Sequence, residues 1–176
     1  MRVLIVNKFF YPRGGDCVVA MATRRMLADH GHEVRVFAMD YPDNDTIPDA
    51  AGYASRVDFG GGSSAKLRAS ARLFGKGDIV KSASEVLDSF RPDVVHLHNV
   101  HSYLSPLIGE LAHKRGIRVV WTLHDCWAFT GHCAYSDFAG CEKWKTACEK
   151  CPLYRSAYPY ALFRDNSRKI LPGNGK

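Results

Sequence analysis

No apolar run in these 176 residues approaches the ~20 needed to cross a membrane, so a spanning helix is not predicted. The opening run Val3-Leu4-Ile5-Val6 is too short for a secretory core and no cleavage site follows it, so a cytoplasmic chain is expected. There is no G-x-G-x-x-G, which removes the standard dinucleotide fingerprint. No Gly-Lys-Ser/Thr ends a glycine loop, which removes a Walker A site. Internal repeats and low-complexity tracts are absent, which argues against a solenoid and against a disordered chain. Acidic residues are in deficit, 18 against 24 Lys+Arg for a net charge of +6, which favours anionic partners without choosing among phosphate, nucleic acid and acidic lipid.

What is present is ordinary globular material. The hydrophobic fraction is 46% and the charged fraction 24%, and the length suits one domain with a real core. Strand-like runs alternate with helical periodicity. Val3-Leu4-Ile5-Val6 reads as a strand covered on both faces. A Pro/Gly loop follows to Gly14-Gly15, then a helix over 16–31 capped by Asp16, with Val18, Ala22, Met26 and Leu27 as its apolar face. Val34-Arg35-Val36-Phe37 is a second strand, 41–55 a long Asp/Pro/Asn loop, and 56–59 a short third strand. Helices are predicted over 65–74, 78–90 and 102–115, the last stopped by Gly116. Strands are predicted at 94–97 and 118–123, the latter buried. This alternation predicts an α/β fold, a Rossmann-like parallel sheet flanked by helices with right-handed crossovers. In such a sheet the strand exits share one edge, where ligands bind, so Gly14-Gly15, His98-Asn99-His101 and His124-Asp125 should converge.

Each motif carries a functional and a plain reading. Gly14-Gly15 before a helix suits an anion, because glycine lets the backbone approach and the helix N-terminus offers free N–H groups. It equally suits a simple strand-to-helix turn, and Asp16 argues against tight phosphate binding. His96 and His98 would share a strand face and could pair on a metal, but no carboxylate stands near to complete the set, and hydrogen-bonding histidines are the commoner case. His124 at a strand exit can donate a hydrogen bond or act as acid-base; alternatively it only satisfies local backbone. Arg68, Arg72 and Lys76 form a basic stripe that fits an anionic membrane or merely solvates a helix.

Cys133, Cys141, Cys148 and Cys151 fall on one polar segment, the Cys-rich loop 126–152. Four thiolates suit one structural, tetrahedral Zn²⁺, although the first spacing is longer than in a standard finger; free thiols or an oxidised pair are the alternative. Clustered cysteines in a reducing compartment favour the metal. Cys17 and Cys126 lie outside the pattern as buried thiols.

Three stretches, Val-Asn-Lys-Phe-Phe-Tyr-Pro-Arg-Gly-Gly (6–15), Pro-Asp-Val-Val-His-Leu-His-Asn (92–99) and Thr-Leu-His-Asp-Cys-Trp-Ala-Phe-Thr-Gly-His-Cys (122–133), together resemble the N-terminal, acceptor-side domain of family 4 glycosyltransferases, nearest to bacterial members that build surface polysaccharides. The resemblance implies the N-terminal half of a GT-B fold, two Rossmann-like lobes facing across a cleft. It implies transfer from a nucleotide sugar to a polysaccharide or lipid-linked glycan acceptor, with retention and without a catalytic metal. It places Gly14, Gly15 and Asp125 at the donor, His124 near the reacting carbon, and Asn99 and His101 on the acceptor side. Relatives often carry a glutamate soon after the glycine pair; here Asp16 and Cys17 follow.

The expected division is a domain over 1–164 and a tail over 165–176 leading to an absent nucleotide-binding lobe. Alone, such a half would not transfer sugar and would bind donor no better than about millimolar, roughly −4 kcal/mol. Phe9, Phe10 and Tyr11 would then lie on an exposed inter-lobe face. Contact with the inner face of an anionic membrane is expected, and nucleic acid is not. The competing reading is a non-catalytic basic zinc module that binds an anionic polymer.

Overall fold

The computed structural model describes residues 1–44, 50–57, 71–72, 78–101, 103–130 and 140–145. It divides into two units, Met1–His124 and Asp125–Lys176. The predicted helix over 65–74 lies outside the described residues except for Ala71 and Arg72, which are helical.

The first unit is built on a five-stranded sheet in the order β3-β2-β1-β4-β5. Its strands are β1 (Arg2–Val6), β2 (Glu33–Met39), β3 (Ala50–Ala54), β4 (Val94–Leu97) and β5 (Arg118–Trp121), and every pairing is parallel. Among the described residues, and besides the helical pair Ala71 and Arg72, its helices are α1 (Gly15–Asp29), α2 (Ile79–Phe90) and α3 (Leu107–His113). β1 is central, and alternation splits its side chains. Leu4 and Val6 join the large apolar cluster with Phe37, Val86, Leu87, Phe90 and Ile108, under α2 and α3. Val3 and Ile5 join Ala20, Val34 and Val36 on the α1 side. That is the Rossmann-like parallel sheet flanked by helices that the strand–helix alternation predicts.

The N-cap of α1 lies two residues before the predicted Asp16. Gly14 is the N-cap, in extended conformation and with no side-chain cap bond, and Asp16 sits in the first turn. The helix ends at Asp29, two residues before the predicted bound, ahead of a left-handed glycine. Gly31 has φ +77°, its amide bonds Ala28 carbonyl at 2.9 Å and the His32 amide bonds Leu27 carbonyl at 3.1 Å. The buried face, however, is Cys17 and Ala20; Val18, Ala22 and Met26 are exposed. Apolar residues surround this helix, so periodicity alone misplaces its core face, and small Ala20 is what meets the sheet.

The 41–55 stretch is not all loop. It holds a 3₁₀ turn (Pro42–Asn44) and β3, whereas Arg56 and Val57, predicted as strand, are not. β3 lacks branched residues because α2 lies close. A Cβ at Gly52 would stand 2.8 Å from Val86 Cγ2. α3 begins only at Leu107, behind Pro106 at its N-cap. β5 stops at Trp121 and is not buried. Among the described residues it is a sheet edge, and Val119 and Val120 are exposed.

Phe9 and Phe10 belong to the core and not to an exposed face. Phe9 is 2% exposed, with rings of Tyr11, Tyr41 and Tyr103 within 5.8 Å, and Phe10 packs on the α1 side. Arg72 likewise leaves the proposed membrane stripe. It is buried, and its guanidinium bonds Ser55 carbonyl (2.7 Å), Tyr103 carbonyl (3.0 Å), Ser55 Oγ (2.7 Å) and Asp78 Oδ1 (2.7 Å). A guanidinium has enough donors to hold a loop, a strand exit and a helix start at once.

The described part of the second unit is a one-turn helix, Trp127–Thr130, and a 3₁₀ turn, Lys143–Lys145. No helix among the described residues is long and apolar enough to cross a membrane.

Candidate functional site at the strand exits

β1, β4 and β5 are neighbours and parallel, so their C-terminal ends open side by side. Backbone and side-chain bonds lock the exits together. The His98 amide bonds Val6 carbonyl (2.9 Å), the Lys8 amide bonds Asn99 carbonyl (2.9 Å) and the Thr122 amide bonds Leu97 carbonyl (2.9 Å). Asn7, fully buried, is the node. Its Oδ1 accepts from the Asn99 amide (3.0 Å), and its Nδ2 donates to Phe9 carbonyl (2.7 Å) and reaches Cys17 Sγ (3.6 Å). Sequence reading missed Asn7. The available signal was an amide side chain at the last step of an apolar strand, where a polar group must be buried and therefore partnered.

The β4 and β5 exits meet through histidines. His96 Nε2 lies 2.8 Å from Thr122 Oγ1, and His98 Nδ1 lies 3.0 Å from His124 Nε2. The His98 and His124 rings stack at 5.3 Å and 22°. His98 is buried, and its pKa falls to about 3, first by desolvation and then by His96 and His124, with Asp16 opposing. His96 is lowered for the same leading reason. These rings therefore stay neutral at physiological pH. His96 and His98 do share a neighbourhood, but no group of three or more His, Cys, Asp or Glu among the described residues is placed to hold a metal.

His101 is buried with its ring stacked on Trp121 at 5.5 Å, and burial, then Lys8, pulls its pKa down to about 4. Asn99 is half-exposed. Gly14 and Gly15 are exposed at the start of α1. A Cβ at Gly15 would meet nothing within 4 Å, so the fold itself leaves open space there. Asp16 Oδ2 lies 3.9 Å from Lys8 Nζ, which offsets its charge at the helix start. The convergence expected from topology thus holds for Asn99, His101 and His124.

Asp125 begins the second unit, where its Oδ1 accepts from the Trp127 amide at 3.0 Å. Of the cysteines, Cys133, Cys148 and Cys151 lie outside the described residues, and Cys141 is a half-buried free thiol. Cys17 is buried, its pKa raised by desolvation first and then by Asp16, so it is an inert core thiol; Cys126 is only half-buried.

The sequence model of the glycosyl transferase 4-like domain matches residues 14–157. Over 89 residues the chain is 39% identical to the "Putative colanic acid biosynthesis glycosyl transferase WcaC" of Escherichia coli (strain K12). That match takes in 47% of this chain and 21% of the relative's length. The matched span contains the glycine pair and the paired strands β4 and β5 with their histidine-bearing exits, and the chain belongs to the glycosyl transferase 4-like domain family.

Proposed function

We propose that this domain takes part in transferring a sugar from a nucleotide-sugar donor to a polysaccharide or lipid-linked glycan acceptor, with retention at the anomeric carbon. The observation that carries the reading is the meeting of three strand exits at one edge, with His124 anchored through one ring nitrogen to buried His98. Strand exits at a change of strand order are where open α/β sheets take ligands, and here β2 and β4 flank β1 on either side.

The roles follow from chemistry. Gly14 and Gly15 present a helix N-terminus, and the open space at Gly15 suits a diphosphate approaching the backbone. His124 is the group beside the reacting carbon, and Asp125 follows it on the donor side. Asn99 and His101 line the acceptor side. A C-terminal lobe holds most of the nucleotide, and no metal takes part in catalysis. The related Escherichia coli protein carries colanic acid biosynthesis in its name, which favours a surface polysaccharide as the product class. We place the work on the cytoplasmic side, at the membrane's inner face, where an excess of six positive charges favours anionic lipid. Cys133, Cys141, Cys148 and Cys151 are proposed to hold one structural Zn²⁺.

The test is turnover in the complete enzyme that contains this domain, with a panel of nucleotide sugars. His124→Ala is expected to lower kcat about 10²–10⁴-fold. Unchanged turnover in a folded variant removes His124 from the site.

A further inference from the structure

His124 has two ring nitrogens, and the fold engages only one. Nε2 lies 3.0 Å from His98 Nδ1, while Nδ1 has no hydrogen-bond partner among the described residues. His98 itself is held rigidly. It is 1% exposed, its amide bonds Val6 carbonyl and its carbonyl accepts from Trp121 Nε1 at 2.9 Å. Its ring lies between those of His96 (4.3 Å) and His124 (5.3 Å). Its Nε2 is buried with no hydrogen-bond partner among the described residues.

That asymmetry chooses the tautomers. The His98–His124 contact needs one proton. If His124 supplied it, neutral His98 would carry its own proton on Nε2, a buried N–H with no acceptor. If His98 supplies it, the atom left over is a bare ring nitrogen. Orphaned buried donors are rarer than under-used acceptors. His98 therefore donates from Nδ1, and a neutral His124, accepting at Nε2, carries its proton on Nδ1. The surroundings keep His98 uncharged. Burial dominates, His96 on β4 and His124 beyond β5 both disfavour a second charge, and Asp16 in the first turn of α1 is the opposing influence.

We propose that His98 is a positioning residue whose Nδ1–H fixes His124 as the Nδ1–H tautomer, leaving that N–H as the ring's free donor. In the sugar-transfer reading, on which the role but not the tautomer rests, His124 then donates a hydrogen bond to an oxygen of the ligand and does not abstract a proton through Nδ1. The device works without moving parts. A buried ring spends its single proton on its neighbour and so decides what the neighbour shows outside.

The experiment is a long-range ¹H–¹⁵N correlation spectrum of the 176-residue chain labelled at histidine nitrogen, recorded at pH 8, above the ordinary imidazole range. The His124 signals are identified by their loss in His124→Gln. The expected result is a protonated Nδ1 and a bare Nε2 for His124. In His98→Leu, which fills the space without a donor, the pattern should reverse to the Nε2–H form that free imidazole side chains favour. In His98→Asn, whose Nδ2 stands near the place of the lost Nδ1, it should return. A wild-type His124 protonated on Nε2 overturns the proposal, and that result needs no variant to fold. So does an unchanged pattern in a folded His98→Leu. In the complete enzyme, kcat should fall in His98→Leu and recover in His98→Asn with KM little changed. If the spectra come out as stated and kcat does not move, the tautomer lock stands and the sugar-transfer role of His124 fails.

Discussion

At the scale of single residues, the site depends on polar groups that the sheet buries on purpose. Asn7 spends both ends of its amide on neighbouring backbone, so Asn7→Leu removes the acceptor of the Asn99 amide and the donor to the Phe9 carbonyl. A loss of about 1–3 kcal/mol is expected by urea unfolding; a change below a few tenths would mean the node is not structural. Gly15 behaves oppositely. It has ordinary φ and no atom within 4 Å of a built Cβ, so Gly15→Ala should leave stability unchanged or raise it by about 0.4–1 kcal/mol. If the space belongs to a donor diphosphate, the same change weakens nucleotide-sugar binding measured by calorimetry. Unaltered affinity would return Gly15 to a plain turn.

At the scale of elements, Arg72 ties the start of α2 to the exit of β3 and to the loop before α3. Arg72→Ala should cost about 2–4 kcal/mol in thermal or chemical unfolding, the lower part of the buried-pair range because the Asp78 side chain is 37% exposed. Arg72→Lys should restore little, since one ammonium cannot serve four acceptors in two directions. An exposed, membrane-facing arginine would instead tolerate both changes. The same elements mark how far sequence carries. β1, β2, β4, α2 and the Gly116 stop were legible because apolar runs, helical spacing and a glycine stop are local signals. β3 was not, because Ala-Ala-Gly-Tyr-Ala is shaped by α2 lying over Gly52, a contact between positions far apart in sequence. The buried face of α1 was misread because small Cys17 and Ala20, not the larger Val18 and Met26, meet the sheet. Arg72 reads as a surface charge because nothing local announces four acceptors drawn from Ser55, Asp78 and Tyr103. For the site, topology alone brought the β1, β4 and β5 exits together, while the His98–His124 contact needed side-chain geometry.

At the scale of the whole molecule, three buried or half-buried histidines with lowered pKa make the fold acid-sensitive. A histidine neutral in the fold and protonatable when unfolded lets the unfolded chain bind more protons as pH falls. Stability is therefore full above the ordinary value of 6.5 and declines below it, toward about 4 for His101 and about 3 for His98. Each such group contributes a slope approaching about 1.4 kcal/mol per pH unit inside its window. A urea midpoint flat between pH 4.5 and 6.5 would contradict this. The proposed zinc is checked separately by elemental analysis of chelator-free protein, with about one ion per chain expected and released in Cys148→Ser. The central claim is that the exits of β1, β4 and β5 form one ligand site. Titrating the ¹⁵N-labelled chain with nucleotide sugars to millimolar concentration tests it most directly. Amide shifts should concentrate at Gly14, Gly15, Asn99 and His124, and shifts confined to the exposed side of α1 around Val18 and Met26, or scattered over the surface, would contradict it.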